Sequence, residues 1–60
     1  MAFNILIVDD SAAMRSIIIK TLRMTGVPLG EIYQAGNGQE GLQAVEENWV
    51  DLALVDLNMP

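Results

Sequence analysis

Residues 5–11 read Ile5-Leu6-Ile7-Val8-Asp9-Asp10-Ser11. Four aliphatic residues without a polar break fit a strand buried on both faces, as in a parallel sheet. Two carboxylates close the run, and Ser11 is a fair N-cap for a helix. From Ser11 to about Thr25 the apolar residues Met14, Ile17, Ile18 and Leu22 recur at helical spacing. These residues and Met24 are expected to pack as core, with Ile19 off the main face. Gly26 falls where a left-handed C′ residue belongs, and Pro28 prevents continuation. Asp10 before the first turn and Arg23 in the last suit the helix dipole, and Arg15 and Arg23 are expected to solvate the helix.

The pattern then repeats. Leu29 to Glu31 reads as a connector, and Glu31-Ile32-Tyr33-Gln34-Ala35 as a short, more polar strand at a sheet edge. Asn37 opens a second helix, with Glu40 three residues on in the manner of a capping box. Leu42, Val45 and Trp49 form its apolar stripe, Glu46 and Glu47 its solvated side, and Trp49 is expected at a helix–strand corner. Asp51-Leu52-Ala53-Leu54-Val55-Asp56 is a third strand, followed by Leu57-Asn58-Met59-Pro60. The order β-α-β-α-β implies parallel strands joined by right-handed crossovers.

Composition removes whole classes of chemistry. The sixty residues include no Cys and no His, so thiolate zinc sites, disulfides, cysteine nucleophiles and imidazole bases are excluded. Eight Asp plus Glu against three Lys plus Arg give a formal charge of −5, which argues against nucleic-acid binding and anionic membranes. No apolar run approaches a membrane span or a signal-peptide core, so a cytoplasmic location is expected. With 52% apolar residues in so short a chain, something beyond it is expected to cover part of the surface.

What remains is carboxylates. In a parallel sheet the carboxyl ends of all strands share one edge, where open α/β sheets bind ligands. Asp9 and Asp10 end the first strand and Asp56 the third. Any one of them reads most simply as a polar strand end; the set reads as a cation site, because close like charges call for a compensating ion. Mg2+ suits a few carboxylates, one main-chain carbonyl and several retained waters. A carboxylate beside such an ion can attack a phosphoryl group.

With these residues in view, the sequence resembles the receiver domain of two-component response regulators, particularly the single-domain chemotaxis type. The matching residues are Ile5 to Ser11, Met14-Arg15, and Leu54-Val55-Asp56-Leu57-Asn58-Met59-Pro60. The resemblance implies a flavodoxin-like α/β fold, here a half, with a three-stranded parallel sheet of order 2-1-3. It also implies that Asp56 is the phosphoacceptor and that Asp9, Asp10, Asp56 and the Asn58 main-chain carbonyl hold Mg2+. The phosphoryl donor is then a histidine kinase or a small phosphodonor, and the chain is a signalling receiver rather than an enzyme. Residues 1–60 correspond to the N-terminal half of such a domain. The family's Ser or Thr after a fourth strand and Lys after a fifth have no counterpart here, and Lys20, in the first helix, is not that lysine. Phosphotransfer is therefore expected to be impaired.

Two consequences and two rival readings remain. In a 2-1-3 sheet the edge from Leu52 to Val55 lacks a neighbour and each sheet face has one helix, so a homodimer or other homo-oligomer through that edge or the bare faces is expected. A structural half-domain that self-associates without phosphotransfer is the alternative function. Gly36-Asn37-Gly38-Gln39-Glu40-Gly41 spells the dinucleotide fingerprint, but Glu40 stands where a pyrophosphate should sit. An ordinary turn explains Gly36, Gly38 and Gly41 better. Asp56-Leu57-Asn58 also echoes the Asp-x-Asp loop of haloacid-dehalogenase-like phosphatases, with Asn58 replacing the second acid.

Overall fold

The structure, a computed structural model, describes residues 1–56. Five elements alternate: β1 (Phe3–Asp9), α1 (Ala12–Met24), β2 (Leu29–Ala35), α2 (Gly38–Glu47) and β3 (Leu52–Asp56). The strands form one parallel sheet in the order β2-β1-β3, as the resemblance implied. Having no polar residue from Ile5 to Val8, β1 takes the central place, and all four of these side chains are buried. Each such burial stabilises the fold by about 1.5–3 kcal/mol. Leu6, Val8 and Ala35 form the core cluster, with Tyr33, Ala44 and Val50 packed against it.

The caps follow the sequence reading. Met14 N–H donates to Ser11 Oγ at 3.2 Å and Glu40 N–H to Asn37 Oδ1 at 2.8 Å. Glu40 reaches back one residue beyond the usual capping box, its Oε1 accepting from Gly36 N–H at 2.8 Å. At the end of α1, Gly26 takes the left-handed conformation, φ +80°. One boundary differs: β2 begins at Leu29, because Leu29 pairs with Phe3 across a register shift and Phe3 N–H donates to Pro28 O. The expected connector is strand.

A larger difference concerns which helical residues are covered. Both helices pack on β1 and β2, and neither packs on β3. In α1 the half-buried positions are Arg15, Ile18, Ile19 and Leu22, while Met14, Ile17 and Met24 are exposed. Ile19, expected off the face, lies on it; Ile17, expected in the core, is 57% exposed. In α2 the stripe of Leu42 and Val45 is likewise exposed, and the covered residues are Gly41 and Ala44. A Cβ on Gly41 would stand 2.9 Å from Val8 Cγ2, so glycine is what lets α2 settle on β1. Trp49 lies beyond α2, 76% exposed, instead of packing in a corner.

The same offset leaves two apolar grooves beside β3. One, of about 280 Å³, runs between Leu42 and Val45 of α2 and Ala53 and Val55 of β3. The other, of about 510 Å³, lies on the α1 face among Phe3, Ile5, Leu22, Val27, Leu29 and Leu52. Among the described residues the outer edge of β3 has no partner strand, as expected for Leu52 to Val55.

The amino-terminal end of the sheet is closed by hydrogen bonds around Asn4. Asn4 N–H donates to Asp51 Oδ2 and Asp51 N–H to Asn4 O, both at 2.8 Å. Asn4 Nδ2 donates to Trp49 O at 3.0 Å, and Glu31 N–H to Asn4 Oδ1 at 2.9 Å. Trp49 Nε1 donates to Asp51 Oδ1 at 3.0 Å. One asparagine thereby joins β1 to β2 and to the approach to β3.

Candidate functional site

The carboxyl-terminal end of the sheet gathers the aspartates. Asp9 and Asp56 are register partners on the last rung of the β1–β3 ladder. Neighbouring strands lie about 4.8 Å apart, so the two residues stand side by side. Asp10 follows directly and is exposed. Asp9, Asp10 and Asp56 line a polar cleft of about 260 Å³ with Ser11 and Met14. The three residues singled out in the sequence therefore face one cleft. Asn58, the fourth, lies outside the described residues.

Each position has a local cause. Asp9 is the last strand residue of β1 and 4% exposed, and its Oδ1 accepts from Ser11 N–H at 2.9 Å. The same Ser11 caps α1 with its hydroxyl, so the turn that starts the helix also orients the carboxylate. Asp56 comes to the edge by parallel register, and it is exposed because no helix packs on β3. No Lys or Arg side chain hydrogen-bonds to any of the three carboxylates among the described residues. No tight cluster of three or more metal-ligating side chains occurs there either. The donors that the cleft offers are carboxylate oxygens, the ligand type that hard cations such as Mg2+ take.

Arg15 differs from the expectation. Instead of solvating α1, its guanidinium reaches back to the sheet: Nη1 donates to the main-chain carbonyl of Asp9, and Nε donates to Gln34 Oε1 at 3.1 Å. Nη1 also lies 3.7 Å from where a Gly36 Cβ would stand. A cation near a helix N-terminus opposes the macrodipole, and that conflict was the available signal.

The glycine motif is accounted for locally. The Gly36 N–H is already taken by Glu40, Gly41 serves helix–strand packing, and neither Gly36 nor Gly38 has a positive φ. A phosphate would have to displace the chain's own carboxylate.

A parallel α/β sheet with paired aspartates at its carboxyl edge defines a flavodoxin-like unit with an acidic cleft. The chain belongs to the response regulator receiver domain family, whose sequence profile matches residues 5–60. It is 38% identical over 60 residues to the chemotaxis protein CheY of Bacillus subtilis, covering 100% of this chain and 48% of that relative. It is 32% identical over 60 residues to protein-glutamate methylesterase/protein-glutamine glutaminase 1 of Paramagnetospirillum magneticum, covering 98% of this chain and 15% of the relative. With the autoinducer 1 sensor kinase/phosphatase LuxN of Vibrio harveyi it shares 38% identity over 57 residues, 95% of this chain and 6% of the relative. The chain thus spans about half of one of these relatives and a small part of the others. No solved structure matches it significantly. Among the described residues no helix is long and apolar enough to cross a membrane.

Proposed function

We propose that the chain is a phosphoacceptor module in which Asp56 receives a phosphoryl group and Asp9 and Asp10 hold Mg2+ beside it. The pairing of Asp9 with Asp56 on the last rung of the sheet is the observation that carries this reading. A carboxylate oxygen of Asp56 attacks phosphorus. The O–P bond forms as the bond to the donor breaks, and its electron pair leaves with the imidazole of a kinase phosphohistidine or the carboxylate of an acyl phosphate. Mg2+, when bound, offsets the charge on the phosphoryl oxygens. Asp9, fixed by Ser11 N–H, and the exposed Asp10 would supply its oxygen ligands, with the Asn58 carbonyl assigned by resemblance alone.

The module acts once per phosphoryl group and is not an enzyme in this reading. Its partners are a histidine kinase or a small phosphodonor, and the cytoplasm is where it meets them. Intact mass after incubation with acetyl phosphate tests the reading. A phosphoryl increment that requires Mg2+ and disappears in Asp56→Ala supports it; no increment in the unsubstituted chain overturns it.

The unpaired β3 edge and the two grooves beside it favour a second reading, a half-domain that self-associates as a homo-oligomer. Sedimentation equilibrium at low micromolar concentration is expected to show a dimer whose stability is unchanged by Asp56→Ala. A folded monomer there would exclude it.

A further inference from the structure

We propose that Arg15 is a positioning residue for the acidic cleft, resting on the reading of Asp9 and Asp10 as Mg2+ ligands. The peptide between Asp9 and Asp10 is planar, so holding its carbonyl oxygen also fixes its N–H and the direction in which the chain enters Asp10. Arg15 Nη1 holds that oxygen, while Ser11 N–H holds the Asp9 carboxylate from the other side. The guanidinium is itself held, because Nε is anchored on Gln34 at the end of β2 and Nη1 lies against the Gly36 turn. The contacts use two nitrogens of one rigid planar fork, Nε and Nη1; an ammonium has three donors but a single nitrogen and does not reproduce that spacing. Arg15 therefore ties the carboxyl ends of β1 and β2 to the start of α1, across the turn that carries two of the three aspartates. It has no need to touch the ion.

The sign of one measurement separates this role from two simpler ones. A nearby positive charge repels Mg2+, so if Arg15 contributed charge alone, Arg15→Met would bind Mg2+ more tightly. If it only decorated the helix, affinity would not change. Positioning predicts weaker binding despite the removed repulsion, by about 10-fold or more, as for other residues that orient metal ligands.

Mg2+ titration calorimetry on the full chain, with circular dichroism confirming the fold, reads this directly. Arg15→Lys is expected to recover part of the affinity, since it can reach the Asp9 carbonyl but not Gln34 as well. Gln34→Leu keeps the charge, removes the anchor on an exposed strand end, and is expected to weaken binding in the same direction by less. It decides the question if Arg15→Met does not fold. Unchanged or tighter binding in the folded variants overturns the positioning role while leaving the cleft's function intact. Absence of Mg2+ binding in the unsubstituted chain overturns both.

Discussion

At the amino-terminal end of the sheet Asp51 sits among donors: Asn4 N–H and the Trp49 indole each take one of its oxygens, and Asn4 in turn binds Trp49 and Glu31. At the carboxyl-terminal end Asp9, Asp10 and Asp56 share a cleft in which, among the described residues, their carboxylates accept one hydrogen bond, from Ser11 N–H to Asp9 Oδ1. Both ends are acidic, and both are placed by the same strands. At the first, each carboxylate oxygen has found a partner within the chain, and the result is a clamp. At the second, like charges are brought to one cleft with a single such partner among the described residues. Under the proposed function, Mg2+ is what would compensate them there.

This contrast can be tested by perturbing the two ends in turn. The largest expected effect is at the cleft: Mg2+ at 100 times its Kd should stabilise the chain by about 2.7 kcal/mol. Thermal unfolding with and without the ion measures it, and Asp9→Asn should remove the shift. At the clamp, a Cβ on Gly30 would run into Asn4 Oδ1. Gly30→Ala should therefore displace that amide and destabilise by about 2 kcal/mol in urea unfolding, with Mg2+ affinity unchanged. Asp51→Asn keeps the shape but turns one acceptor oxygen into an NH2 donor, so one of the two bonds from Asn4 N–H and the Trp49 indole is lost and the other is no longer charge-assisted. A loss of about 1 kcal/mol is expected, together with a shift in Trp49 emission as its Nε1 partner changes. Asp10→Asn should alter stability by no more than about 0.5 kcal/mol, in the stabilising direction, while weakening Mg2+ binding. Were Asp10→Asn to destabilise as Asp51→Asn does, the two ends would not differ in the way described.

Much of this contrast was legible in the sequence at one end only. Asp9, Asp10 and Asp56 could be placed because each directly follows or closes an apolar run, and parallel strands deliver such residues to one edge. The clamp could not be read, because Asn4 and Asp51 are 47 positions apart and neither sits in a local pattern. The helices show an intermediate case. Periodicity in α1 supports two overlapping sets, one through Met14, Ile17 and Ile18 and one through Arg15, Ile18, Ile19 and Leu22. Which set is covered depends on where the helix lies across the sheet, and here it lies over β1 and β2. Leu42 and Val45 of α2 form the expected apolar stripe, but for the same reason it faces the groove beside β3 and stays exposed. For Arg15 the readable signal was its unfavourable place near the start of α1; its partners, a main-chain carbonyl and an amide side chain, leave no pattern of their own.

The placement of both helices over β1 and β2 bears finally on how the chain opens. Among the described residues β1 has a ladder on each side and a helix on each face, whereas β3 has one ladder and no helix packed on it. Native-state hydrogen exchange should follow that order, with the Leu6 to Val8 amides exchanging slowest and the β3 amides that pair with β1 exchanging through smaller, local openings. Asp56 would then ride on the part of the sheet that detaches first. A ligand bridging it to β1 would slow exchange along the whole of β3, including residues it never touches.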